Sequence, residues 1–256
     1  MIIRANRELK QRYEELKAGD CFVGLLSFKN LKHRVFIDLL ERGVRFFPSA
    51  LSQTLGHSKV AQALAFQRWM IPHTLIIARR VDLMYAINTY NKHGIGAVVT
   101  KEDHLQCGFG VHRWDSIEAV YNQASFSTIS YPFVVQPFLD NYTDVRVIIA
   151  GAYCEAYTRE NQNNFRMNLS AGGTSKPYTL TKAQLALCHS VINRGKFPYA
   201  HIDLLVTAEG HSYLSEMALN GGMRAARIKR EDLDVLKKDL LEKMARSYTQ
   251  QNSCAN

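Results

Sequence analysis

Asp203 and Glu216 are the residues of this chain whose types and spacing point most directly to chemistry. They lie in HIDLLVTAEGHSYLSEMAL, where two β-rich runs, Ile202 to Thr207 and Ser212 to Met217, flank Glu209-Gly210. A glycine beside a polar residue between two such runs signals a hairpin. With Glu209-Gly210 at the turn centre the two carboxylates are directly opposed, their Cβ atoms about 4.5–5.5 Å apart, and Leu205 and Leu214 share their face. Two unit charges ~5 Å apart repel by about 3 kcal/mol at an effective dielectric of about 20. A cation between them would offset that repulsion. Mg²⁺ takes one or two carboxylates and leaves its other positions to water and phosphate oxygens, so it suits the pair. A solvated hairpin face is the alternative that needs no ion.

Other segments offer groups for an anionic ligand. Lys101 closes a short buried-type strand, AVVTK, and precedes EDHLQCGFGV, where Gly108 and Gly110 let backbone N–H groups approach an anion. Neither the G-x-x-x-x-G-K-[ST] phosphate loop nor a dinucleotide fingerprint is present, and a turn beside a solvated lysine also fits. Gln136, Phe138 and Asp144 flank a chain reversal in PFVVQPFLDNYTDVRV. Backbone groups there would face a flat base and Asp144 would accept from ribose hydroxyls; a strand with a polar exit loop is the plain alternative. FRMNLSAGGTS joins Arg166 and Asn168 to Gly172-Gly173. Arginine offers a bidentate fork for phosphate or carboxylate, and a glycine pair lets backbone close on a ligand. The histidines show no H-E-x-x-H or mixed His/Cys ligand spacing.

The elements that must position these residues are mixed. Residues 21–48 read as one β-α-β unit behind a charged, helix-like N-terminus. Helices follow at about Ser58 to Met70 and Asp82 to Gly94. Asp115 with Glu118, and Thr181 with Gln184, resemble capping boxes. Hairpin strands dominate after residue 130, with one reversal near Ala150-Gly151. The C-terminal helix carries Leu233, Leu236, Leu240 and Met244 on one face, its charges reading as a solvated face. This order implies an α+β fold, divided at 1–51, 52–130, 131–249 and a 250–256 tail. Five scattered cysteines without C-x-x-C spacing argue against a disulfide framework and fit a reducing cytoplasm. No apolar run approaches the ~20 residues of a membrane helix. The net charge of +9 asks for an anionic partner, but no dense basic block marks a nucleic-acid surface.

Taken in order, these segments resemble the ATP-grasp superfamily, most of all its ribosomal-protein glutamate ligase and glutathione synthetase branch, from about Ser52 to Ile228. SKVAQALAFQRWMIPHT resembles the family's "DK…L…GIPVP-T" stretch through Lys59. VVTKEDHLQCGFGV keeps its lysine seven residues before G-x-G-V, through Lys101, Gly108 and Gly110. FVVQPFLDNYTDVRVIIAG resembles "VQEYI…DIRVFVVG" through Gln136, Asp144 and Arg146. NFRMNLSAGG resembles "DFRSNLHRGG" through Arg166, Asn168, Gly172 and Gly173. HIDLLV…YLSEMALNGG resembles "GVDLL…VLEVNSSPG" through Asp203 and Glu216. Pro137 stands where the family has a hinge Glu, Ala218 where it has a third, Asn metal ligand, and the N-terminal unit is short. The resemblance implies two α+β lobes clamping ATP, with Lys59, Lys101, Gly108 and Gly110 on the phosphates. Gln136 to Phe138 would hold adenine, Asp144 the ribose, and Asp203 with Glu216 Mg²⁺, or Mn²⁺ in its place. Arg166, Asn168, Gly172 and Gly173 would serve an acyl phosphate formed from a substrate carboxylate and displaced by an amine or thiol. A non-catalytic nucleotide-binding module and a kinase on the same fold are the alternatives, and a homodimer is compatible with either.

Overall fold

The computed structural model describes residues 1–105, 109–126, 129–161 and 172–253. Three short parallel strands open the chain, β1 (Ile2–Ile3), β2 (Cys21–Val23) and β3 (Arg45–Phe47), with α1 (Asn6–Gln11) and α2 (Lys32–Glu41) between them. The expected β-α-β unit is β2-α2-β3. β1 adds a strand where the sequence suggested only helix, because a two-residue strand is too short to show a period. A further helix, α3 (Ala50–Leu55), was also not foreseen; Ser49 Oγ caps it by accepting from the Ser52 N–H at 3.1 Å.

The next lobe holds α4 (Lys59–Phe66), β4 (Leu75–Ile77), α5 (Arg80–Lys92), β5 (Val98–Glu102), β6 (Val111–Trp114), α6 (Ile117–Ser125) and β7 (Phe133–Pro137). Its antiparallel sheet has the order β4-β7-β5-β6. β7 lies beyond the expected boundary at residue 131, yet it pairs with both β4 and β5. Its Phe-Val-Val run is buried on both faces, as a central strand requires. One face packs Ile77, Val98, Phe133 and Val135 against Leu83 and Tyr90 of α5 and Val120 of α6. Strand alternation turns Val99, Lys101 and Gln136 to the opposite face. α6 is capped by Ser116, one residue after the expected Asp115.

The last lobe contains β8 (Tyr142–Ala150), β9 (Tyr153–Glu160), β10 (Thr174–Pro177), α7 (Lys182–Gly195), β11 (Tyr199–Thr207), β12 (Ser212–Ala218) and α8 (Arg230–Ser253). The antiparallel order is β10-β9-β8-β11-β12. Thr181 and Gln184 form the expected capping box on α7. One face of the sheet buries Val145, Val147, Ala156, Ile202, Leu204, Leu214 and Met217 in the largest core. The other face carries the charges. α8 runs to Ser253, into the segment expected as a tail, and its buried stripe differs from expectation. Leu233, Lys237, Leu241 and Ala245 are buried, whereas Leu236 and Met244 are exposed. Among the described residues no helix is long and apolar enough to cross a membrane.

Candidate active site

Asp203 and Glu216 are paired across β11 and β12, but not by the expected route. The turn has three residues, Ala208-Glu209-Gly210, closed by Thr207 N–H to His211 O at 2.9 Å, with Gly210 at φ +87°. That geometry sets Leu205 against Tyr213 and Leu204 against Leu214. Leu205 and Leu214 therefore do not share a face. A β-bulge between Asp203 and Leu204 leaves Ser215 unpaired and restores the Asp203–Glu216 alignment. Without it Leu214 and Glu216, two residues apart, would point the same way. With it Leu214 enters the core and Glu216 joins the charged face.

On that face Asp203 is held by two arginines. Arg146 donates from Nε to Oδ1 and from Nη2 to Oδ2 at 3.1 Å, and Arg159 Nη2 lies 3.0 Å from Oδ2. Burial works to raise the Asp203 carboxyl, but the guanidiniums of Arg146 and Arg159 outweigh it and hold the group at about 2. The repulsion expected between Asp203 and Glu216 is thus relieved within the protein, before any metal binds. Arg159 also donates from Nε to Asp144 Oδ1 at 2.7 Å. Burial outweighs that shared arginine, so the Asp144 carboxyl is pushed up. Asp144 is buried beside Arg159, whose Nε and Nη2 both engage its Oδ1.

Two lysines complete the site. Lys101 crosses from the four-stranded sheet to the bulge, donating to Ser215 O at 3.1 Å and Ser215 Oγ at 3.3 Å. Burial pulls its ammonium down to about 8, with Glu216 opposing the shift and Lys59 adding to it. Lys59 begins α4, where Ser58 Oγ accepts from the Ala61 N–H at 2.9 Å. Its Nζ donates to Leu105 O and lies 3.8 Å from Glu216 Oε1. Asp103 ties the Lys101 loop to the same helix end, accepting from Val60 N–H at 3.2 Å and Ser58 Oγ at 3.0 Å. Gly110 sits at φ +72°, where a Cβ would also come within 2.9 Å of Glu102 Cβ, so the position favours glycine. Gln136 shares the Lys101 face. The Phe138 N–H is already spent on Ala97 O at 2.9 Å, and its ring lies 4.8 Å from the Arg113 guanidinium carbon. Gly172, at φ +89°, and Gly173 lead into the edge strand β10. Gly108, Arg166 and Asn168 lie outside the described residues.

The donor set fits one kind of metal site. Three N–H groups occupy Asp203, leaving about one of a carboxylate's four lone-pair positions. Glu216 keeps 35% of its side chain exposed. Among the described residues no third His, Cys, Asp or Glu joins them. Ala218 faces His201 across the strands, and Asn220 Oδ1 accepts from Lys237 Nζ at 2.9 Å. Two carboxylates suit Mg²⁺ completed by phosphate oxygens and water, not a cage built from protein alone. Lys59, Lys101, Arg146 and Arg159 against Asp144, Asp203 and Glu216 leave a surplus of positive charge, which favours an anionic ligand arriving with the metal. Sequence reasoning gave no role to Arg159, Asp103 or Lys237. The alternation Glu155, Tyr157, Arg159, in register with Asp144 and Arg146 across β8 and β9, was the available signal for the first.

Residues 56–243 match the RimK-like ATP-grasp domain. That stretch is well over half of the chain, and the chain belongs to this family. No curated protein matches the sequence. Among solved structures, D-alanine–D-alanine ligase from Bacillus anthracis is similar at a TM-score of 0.62 and 14% identity, covering 97% of this chain and 86% of that one. D-alanyl-alanine synthetase A from Vibrio cholerae gives 0.58 and 15%, covering 87% and 77%. A RiPP-associated ATP-grasp ligase from Chryseobacterium gregarium, in complex with ADP and a leader and core peptide, gives 0.58 and 14%, covering 88% and 76%. At such identities these likenesses establish the α+β ATP-grasp fold.

Proposed function

We propose that this RimK-like ATP-grasp protein is an ATP- and Mg²⁺-dependent ligase that joins a carboxylate to an amine or thiol through an acyl phosphate. The observation that supports it most is Lys101, an ammonium buried against neutral Ser215 groups beside the Asp203–Glu216 pair. Such a cation gains most from a polyphosphate. Lys101 and Lys59 hold phosphate charge, and the Gln136–Phe138 hinge borders the base. Asp203 and Glu216 hold Mg²⁺, which when bound neutralises charge on the phosphates as the γ-phosphoryl group moves to the substrate carboxylate. Arg146 and Arg159 keep Asp203 ionised and aimed. Arg166, Asn168 and the Gly172-Gly173 amides serve the acyl phosphate.

ADP release that requires both a carboxylate and an amine or thiol tests the reading. Release with a hydroxyl compound alone would make the protein a kinase. Ala218 favours one further reading, a nucleotide-binding regulatory module, because two carboxylates without a third ligand bind Mg·ATP more readily than they order it for transfer. Tight nucleotide binding without turnover on any acceptor panel would select that module. No thermal shift with millimolar ATP and Mg²⁺ would remove both readings, since a native-state ligand at a hundredfold excess over Kd adds about 2.7 kcal/mol.

A further inference from the structure

Lys237 is 5% exposed on α8, and nothing in the nucleotide reading uses it. Its ammonium has three N–H donors and three neutral acceptors: Leu219 O at 3.1 Å, Asn220 Oδ1 at 2.9 Å and His201 Nε2 at 3.5 Å. An ammonium only donates, so His201 must turn a lone pair toward it and carry its ring proton on Nδ1. That Nδ1 is buried without a hydrogen-bond partner. A buried cation bonded only to neutral groups is costly to keep, which calls for a reason.

The reason lies one residue further along the chain. Leu219 and Asn220 lead straight into Gly221-Gly222. A Cβ on Gly221 would come within 2.5 Å of Arg146 Nη1 and 2.9 Å of His201 Nδ1, so this backbone rests directly on both side chains. Gly222 O accepts from Arg146 Nη1 and from the Tyr157 hydroxyl, each at 3.4 Å. Arg146 in turn grips both oxygens of Asp203. The contacts run without a break from the C-terminal helix to the metal carboxylate.

We propose that Lys237 is a positioning residue for Asp203, acting through Leu219 to Gly222 and Arg146, so that α8 sets the divalent-cation response of the site. This rests on the ligase reading for what binds at Asp203, while the clamp itself is a property of the nucleotide-free protein. Lys237→Met keeps most of the side-chain stem and removes the ammonium. In hydrogen exchange of the nucleotide-free protein, the amides of residues 219–223 then exchange faster while the β8 and β9 amides do not. The Mg²⁺ concentration for half-maximal ADP binding rises about tenfold, the usual cost of losing a partner behind a metal ligand. ADP affinity in EDTA stays the same. Lys237→Arg, which keeps charge and donors, recovers part of the Mg²⁺ response, as a purely packing role would not. Asn220→Ala, at an exposed residue, gives the same changes in smaller measure and serves if Lys237→Met does not fold. Unchanged exchange at 219–223 overturns the clamp. Faster exchange with an unchanged Mg²⁺ requirement confines Lys237 to stability and overturns the positioning role. If the wild type binds no Mg·ADP, the ligase reading falls, and with it the role at Asp203, while the exchange result still decides the clamp.

Discussion

The two antiparallel sheets treat buried charge in opposite ways. The five-stranded sheet surrounds Asp203 with Arg146 and Arg159, and the carboxyl falls to about 2 in spite of burial. The four-stranded sheet contributes one buried cation, Lys101, whose hydrogen bonds go to a carbonyl and a hydroxyl, and burial pulls it to about 8. One sheet carries a charge network satisfied within the protein. The other carries a charge that gains when an anion arrives. Fixed geometry on one side and a cation with strength in reserve on the other is the division of labour expected of a site that closes on polyphosphate.

The largest test of this contrast is Arg159→Met, which leaves Asp144 and Asp203 short of their shared partner. Removing one member of a buried ion network costs about 3–5 kcal/mol. Urea unfolding should show that loss; a change within error would mean that the network does not hold the sheet. Lys101→Met should act in the opposite direction. Its folded pKa lies below the unfolded value of 10.5, so the native state bears the full penalty below about pH 8 and sheds it as pH rises toward 10.5. The variant should therefore be more stable than wild type at pH 7 by an amount on the order of 2–3 kcal/mol. That advantage should shrink above pH 8, and the ATP-induced rise in Tm should disappear. Lys237 is also lowered to about 8, but it is present in both proteins and cancels from the difference. Equal stability at pH 7 and pH 10 would show that Lys101 is not strained by burial. Ser58→Ala removes the α4 cap and one contact to Asp103, and should cost about 1 kcal/mol with a modest loss of nucleotide affinity in calorimetry. Ser215→Ala should be smallest, about 0.5 kcal/mol, the low end for a hydrogen bond, because the Ser215 carbonyl still accepts from Lys101.

The sequence carried the site's skeleton and hid its supports. Lys101, Gln136, Asp203 and Glu216 were legible because each closes or opposes a strand whose alternation is written in the residues themselves. The Asp203–Glu216 pairing was reached through a two-residue turn that the protein does not have, and it survives because the bulge at Ser215 compensates for the longer one. Asp144 looked like a free acceptor at a loop. Its partner is Arg159, fifteen residues away, which the β8–β9 register places opposite it, so the contact becomes legible only once the whole hairpin is counted out from its reversal. Lys237 read as one more cation on a solvated helix face. The buried face of α8 is set by what it packs against, and a helix with leucines on neighbouring rows leaves that choice open. Ile2–Ile3 forms a strand only because Cys21 and Phe22 lie alongside.

The turn and the bulge of the β11–β12 hairpin have a consequence for how this gene can vary. The turn only joins Thr207 to His211, and the pairs beyond it are set from there, whereas the extra Ser215 is absorbed by the bulge between Leu214 and Glu216. A codon lost from the turn would leave the flanking pairs, the bulge and the two carboxylates where they are. A codon lost at Ser215 would keep Leu204 against Leu214 and Asp203 against Glu216, but would remove the carbonyl and hydroxyl to which Lys101 donates. Length can thus drift freely in the turn, while at the bulge one codon trades the seat of a buried cation for a straight strand.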